Sequence, residues 1–284
     1  MHAQFLELWR FRDLLRQLVA RELKVRYKGS AFGFAWSIVP VCLQVLVFTF
    51  FIRNAANLPA ENYSAYLLCG LIPWTFFNTA LLDSGQTLRV NYPILKKVYL
   101  PREVFPLCCA LSNFVHLMLG WVVFFVAFFG LMRFVGFGLP FAFSILYFPL
   151  ITLVLLLLVA GMSLWISILS LFYEDVRFIV QTFMNLLMFV LPVLIPADVI
   201  RYSSVFRDKA WLYDLYMMNP ISAIIDAYRK TLLEALPRGS FNMTGEPLHM
   251  NWFHFGGATL ITLAIFFSGY AYFNARKWEI VERW

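Results

Sequence analysis

The chain has 284 residues, 61% hydrophobic and 14% charged, with a formal net charge of +7. Soluble domains carry about 25% charged residues, so the composition excludes a water-soluble globule and selects a polytopic membrane protein. The basic excess is therefore read by position, as topology and lipid contact, and no nucleic-acid partner is expected.

Residues 5–28 give the first element. At about 100° per residue, Phe5, Leu8, Phe11, Leu15, Leu18, Val19 and Leu23 share one arc, with Arg10, Asp13, Gln17, Arg21 and Lys24 opposite. The pattern predicts an amphipathic helix lying in the membrane interface. It serves either as an anchor to anionic lipid or as a lever on which a cytoplasmic partner docks. No secretory signal peptide is expected, because about thirty polar and amphipathic residues precede the first apolar run. Only Gly29, Ser30 and Ala31 separate Lys28 from the apolar run that begins at Phe32. A tight, stiff bend at Gly29 and Gly33 is expected, with Arg26 and Lys28 at headgroup level.

A membrane-crossing helix needs about 20 mostly apolar residues. Six segments reach that length: 31–52, 63–83, 104–132, 139–172, 177–197 and 253–273. Fifteen of the 23 Lys and Arg then fall on one side, in the N-terminal segment, the 84–103 and 173–177 loops and the tail. The positive-inside rule puts that side, and both termini, in the cytoplasm. The expected fold is an all-α integral membrane protein of one domain, 1–284, made of an interfacial helix (1–30), a six-span region (31–273) and a cytoplasmic tail (274–284). Cys42, Cys69, Cys108 and Cys109 all fall in apolar runs and read as buried thiols.

In the first span, Trp36 lies within the apolar run, away from its end, which suggests a protein-facing or ligand-facing role as well as a plain helix start. In the third, Ser112, Asn113, His116 and Gly120 share a face suited to close packing, with His116 a hydrogen-bonded structural group. In the fifth, Phe178, Gln181, Thr182, Asn185, Phe189 and Pro192 share an arc, and Phe183, Met184, Leu187 and Met188 occupy the other face. Amides are costly against lipid, so this stripe should face either other helices or a watery cavity. "LPVLIP" (191–196) should break the helix. "MNPISAIIDAYRKTLL" (218–233) then reads as a short amphipathic helix, interfacial or re-entrant, in which Asp226 and Arg229 can face one another.

Absences narrow the chemistry. No G-x-x-x-x-G-K-[ST] occurs, and no glycine is followed by lysine, so this chain holds no phosphate loop of its own. The fifth and sixth spans carry no carboxylate, which argues against an ion-coupled carrier. An integral membrane enzyme has "YED" at 173–175 and Asp226 to draw on, but nothing supplies a metal partner or a nucleophile. No catalytic residue, metal ligand or cofactor is expected in this chain.

Five blocks carry a resemblance along nearly the whole sequence: "RELKVRYKGSAFGFAWSIVP" (21–40), "CGLIPWTFFNTAL" (69–81), "ILKKVYLPREVFPL" (94–107), "LPVLIP" and "MNPISAIIDAYRKTLL". In this order they resemble the permease subunits of type-2 ABC exporters that move polysaccharides, including O-antigen and teichoic-acid exporters. One departure is "FYEDVR" (172–177), where Glu174 stands at a position that the family often fills with arginine. The resemblance implies a homodimer of six-span permeases in a bacterial inner membrane, paired with two copies of an ATP-binding subunit that holds ATP and Mg. It also implies a glycan substrate carried on polyprenyl diphosphate; another lipid or a drug is the alternative cargo.

On that resemblance, the two copies are expected to enclose a channel between their first and fifth spans. Its lining would be Phe32, Trp36 and Phe50, on one stripe with Leu43 and Val47, together with Phe178, Gln181, Asn185 and Phe189. Ordinary packing or lipid contact is the other reading of these aromatics. Arg16, Arg21 and Lys24 are expected to dock the ATP-binding subunit, and Lys96, Lys97 and Arg102 to join that surface or a cytoplasmic gate. Asn219, Pro220, Asp226 and Arg229 are expected at an outer gate.

Overall fold

The computed structural model describes residues 11–30, 33–55, 63–96, 100–134, 143–195, 197–201, 206, 209–233 and 250–279. Every regular element among them is helical. The longer helices are α1 (Arg12–Arg26), α2 (Val39–Ala55), α3 (Tyr63–Val90), α4 (Val104–Phe134), α5 (Phe148–Phe172), α6 (Val176–Val190), α7 (Ala210–Met217), α8 (Pro220–Leu233) and α9 (Trp252–Arg276). Four of them, α3, α4, α5 and α9, are long and apolar enough to cross a membrane. The molecule is a multi-pass membrane protein.

Where spans and helices differ, local chemistry explains it. α3 runs on to Val90, beyond the expected 83, because nothing breaks it before the Asn91-Tyr92-Pro93 corner. Its extra turns bury Ser84 and Thr87, and Ser84 Oγ donates to Ala80 O and lies 2.8 Å from Ser163 Oγ of α5. The expected first span opens with a 3-10 turn, Gly33–Ser37, and its α-helix starts only at Val39. Trp36 therefore sits on that turn, at the head of the span and not within it. The fourth likewise begins with a 3-10 turn, Phe143–Tyr147. The fifth is cut to fifteen residues: α6 ends at Val190 and Leu191 is extended, ahead of Pro192.

α3 and α5 form the centre, with α4 packed on both and α9 lying along α5. α5 and α9 meet backbone to backbone: a Cβ on Gly161 would come within 2.6 Å of Phe266 Cα, and one on Gly269 within 2.8 Å of Trp165 Cδ1. Small residues permit this approach, which apolar lipid cannot drive by itself. α8 is wedged among α3, α5 and α9, so it is not the half-solvated interfacial helix that its amphipathic pattern suggests. Its residues from Ile221 to Arg229 are all buried. Tyr228 lies 4.8 Å from the Trp121 ring, and its hydroxyl donates to Thr152 Oγ1 at 2.8 Å. Of the four cysteines, Cys69, Cys108 and Cys109 are buried thiols as expected, whereas Cys42 is exposed.

Candidate functional site

α2 and α6 both pack on α3 and leave a face uncovered. On α6 the inward residue is Met184, with Val180, Leu187 and Met188 half-buried, while Gln181, Thr182 and Asn185 point outward. Phe178 is 66% and Phe189 70% exposed, at either end of that polar row. Phe183, placed by its arc with Met184, is exposed too, because only a narrow strip of α6 touches α3. On α2, Val41 and Val45 are buried, and Leu43, Val47 and Phe50 are exposed, as is Trp36 on the preceding turn. An open recess of about 720 Å³ lies between α2 and α3, lined by Cys42, Val45, Leu46, Thr49, Phe50, Ser64 and Leu68. Phe32 lies outside the described residues.

The N-terminal helix α1 packs on α4. Its half-buried side (Leu15, Leu18, Val19, Glu22, Leu23) lies on α4, and Arg16, Arg21 and Lys24 face outward. Arg16 is 3.6 Å from Asp13 one turn away. Arg26 does not stand free at headgroup level. Its Nη2 donates to Asp83 Oδ2 of α3 at 2.7 Å and its Nη1 to Asn113 Oδ1 of α4 at 3.1 Å. Asn113 Nδ2 closes the triangle on Asp83 at 3.0 Å. Burial lowers the Arg26 pKa, but Asp83, with Glu22 behind it, outweighs burial and the group is raised. The Tyr27 hydroxyl bonds the His116 ring at 3.1 Å, so His116 is a hydrogen-bonded group of a packed face, as expected. Gly29 (φ 80°) and Gly33 (φ 48°) then turn the chain, with nothing near the place where a side chain would stand on either; left-handed backbone, not space, requires glycine there.

At this same end, Arg89 joins α3 to the turn after α5, donating to Glu174 Oε1 at 3.1 Å and to Ser170 O at 2.9 Å. Glu174 thus has a basic partner where the resemblance leads one to expect an arginine. Lys96 is exposed, 4.6 Å from the Tyr92 ring centre, and Lys97 lies outside the described residues. Arg102 is turned inward: it donates to Lys277 O and stacks over Trp278, while Lys277 Nζ is 3.7 Å from the buried Glu103. The C-terminal end of α9 is therefore held against the start of α4.

At the other end, Asn219 starts α8 by accepting the Ile221 amide on its side chain at 3.2 Å, with Pro220 at the first helical position. Asp226 and Arg229 do not pair. Asp226 takes Lys230 at 2.8 Å, one full turn on, and Arg229 turns into the bundle toward backbone carbonyls of Tyr66, Pro192 and Val193. The Tyr216 hydroxyl donates to Val190 O at 2.8 Å; burial pushes its pKa up, so it remains a donor.

Residues 13–233, from α1 to the end of α8, match the family described as ABC-2 type transporter. The chain belongs to the ABC-2 type transporter family. Relatives span it almost end to end. An O-antigen export system permease protein RfbA of Myxococcus xanthus is 26% identical over 277 residues, 97% of this chain and 97% of the relative. Two proteins of the same name from Klebsiella pneumoniae are each 26% identical, over 95% of this chain and 94% of the relative in one case, and 79% and 82% in the other.

In this ABC-2 transporter chain, sequence reasoning missed the Arg26–Asp83–Asn113 triangle and the carbonyl partners of Arg229. The available signal for the first was an acid at the end of an apolar run, an amide on the third span's small-residue face and an arginine ahead of the first span. Nothing in the sequence pairs positions 57 and 87 residues apart.

Proposed function

We propose that this chain is the membrane-spanning subunit of an ATP-driven exporter that moves lipid-linked polysaccharide, O-antigen-like in kind, out of the cytoplasm. The carrying observation is the full-length match to proteins named O-antigen export system permease. In this reading α2 with its leading turn and α6 with its extended sequel are the remaining two of six crossings, both termini are cytoplasmic, and the membrane is the inner one. Two copies face each other through α2 and α6, and a separate subunit binds and hydrolyses ATP.

The uncovered faces of α2 and α6 suit such a path. Trp36, Phe50, Phe178 and Phe189 offer apolar ring faces to sugar C–H edges, while Gln181 and Asn185 exchange hydrogen bonds with hydroxyls. Translocation of a long chain favours many weak contacts over one tight site, as in ion conduction. The α1 helix, tied to α3 and α4 through Arg26, transmits motion from the docked ATP-binding subunit.

The test is reconstitution in vesicles with the ATP-binding subunit. ATP-dependent transfer of a polyprenyl-diphosphate-linked glycan to the far side, absent without the ATP-binding subunit, is the expected result. Transfer that proceeds without ATP, or ATP hydrolysis by this chain alone, refutes the proposal.

A further inference from the structure

α6 stops at Val190 because Pro192 cannot donate the next helical bond, and the chain turns extended at Leu191. Carbonyls beyond that point have no partner in their own helix, and in a membrane protein they need a protein donor. Two side chains supply it. Tyr216 of α7 donates to Val190 O at 2.8 Å, and Arg229 of α8 donates to Pro192 O and to Val193 O. The Arg229 Nε also reaches Tyr66 O on the first turn of α3 at 3.3 Å, and its guanidinium lies 3.7 Å from the Tyr66 ring centre.

Arg229 is 3% exposed, and the acid on its own helix, Asp226, is taken by Lys230. A buried cation held by carbonyl dipoles and a ring face, with no paired carboxylate among the described residues, is costly to build. Gly70 makes it possible: a Cβ at that position would run into the guanidinium. Lysine is no substitute, because one ammonium lacks the planar fork that spans carbonyls on two separate segments.

We infer that Arg229, with Tyr216 beside it and Gly70 making room, is a positioning residue for export: it fixes the Val190 end of α6 and thereby the placement of the Phe178–Phe189 row. This rests on the reading of α6 as part of the path. The clamp joins three elements, so the end of α6 moves only if α3 and α8 move with it or the clamp opens.

The experiment uses the full complex, with the four native cysteines replaced and Phe189→Cys introduced. Labelling by a membrane-impermeant maleimide is followed in the resting and hydrolysing states, with glycan export and protein abundance in the same preparations. Arg229→Lys and Gly70→Ala are expected to change the labelling rate by about tenfold, the equivalent of one lost buried hydrogen bond, and to lower export per molecule. Tyr216→Phe, which removes one hydroxyl from a half-buried ring, is expected to shift both in the same direction by less, and it stands in if the other two fail to accumulate. Labelling and export per molecule equal to the parent in the variants that accumulate overturn the inference, even where abundance falls, since that is a plain folding role. A parent that exports no glycan and labels in no state overturns the path reading itself.

Discussion

Arg26 offers the sharpest test of how the N-terminal helix is coupled to the bundle. Replacing it with Met removes the 2.7 Å ion pair to Asp83 and the 3.1 Å bond to Asn113, while the aliphatic stem and the apolar side of α1 stay in place. Hydrogen bonds to charged groups contribute about 1.5–3 kcal/mol each when protected. With about a third of each partner's side chain exposed, the pair is discounted toward the exposed limit of about 0–1 kcal/mol. Together the two contacts hold α1 on α3 and α4 by about 1–3 kcal/mol, a factor of roughly 5–150 in the docked ratio.

Hydrogen exchange of the α1 amides reads that factor directly, and the reconstituted complex reads its consequence. In Arg26→Met, α1 protection should fall, ATP hydrolysis should continue, and glycan moved per ATP should drop. Asp83→Asn keeps the geometry and removes the charge, so it should lie between. The exchange Arg26→Asp with Asp83→Arg should recover part of the loss, since the charges face again with shifted reach. Unchanged α1 protection and unchanged coupling in Arg26→Met would refute the tie, and with it the account of Arg26 as more than a surface cation.

Charge reversal at Arg16, Arg21 and Lys24 together should reduce recovery of the ATP-binding subunit with this chain and leave membrane insertion unchanged; loss of membrane association alone would assign the face to lipid. Cysteines at 181, 185 and 189 should react with water-soluble thiol reagents, and one at 184 should not, because Met184 is buried against the bundle. Phe189→Ala, on an exposed ring, should slow export without lowering abundance, whereas truncation of a packed aromatic costs about 3–5 kcal/mol. Gly161→Val forces atoms into the Phe266 backbone and should destabilise the chain by about 1–3 kcal/mol or more, read as a lower midpoint in thermal unfolding in detergent.

The class of the molecule, its long helices and the orientation of α1 were legible because each is written in local composition or in a period of 3.6. The same holds for the split of α6 into Met184 on one side and Gln181 and Asn185 on the other. Helix ends were harder. Ser84 and Thr87 read as loop residues in sequence and become buried helix once α4 and α5 cover them. Polar pairings were harder still. Asp226 has Arg229 three residues on and Lys230 four on, and both spacings can close an ion pair. Which one closes depends on the carbonyls of a segment more than thirty residues away, which draw the guanidinium inward. Arg102 was expected at the docking surface or a cytoplasmic gate, and its inward turn was hidden for the same reason: its partner is the backbone of Lys277.

Fifteen residues of α6 rise about 22 Å, short of the roughly 30 Å hydrocarbon core. An α6 that crosses must do so partly in non-helical backbone, through Leu191 to Ile195, and such backbone is stable in a membrane only where protein satisfies it. Arg229 supplies donors to Pro192 and Val193 in that stretch, and Tyr216 to Val190 at the end of the helix before it. The helical part that remains carries Gln181 and Asn185 on its uncovered outer face. Restoring the helix by replacing Pro192 with Leu would return a backbone donor and lengthen the apolar rod. It would also leave Arg229 buried without its carbonyls, so the substitution that repairs the span on paper is expected to lower abundance, and pairing it with Arg229→Leu is expected to restore abundance but not export.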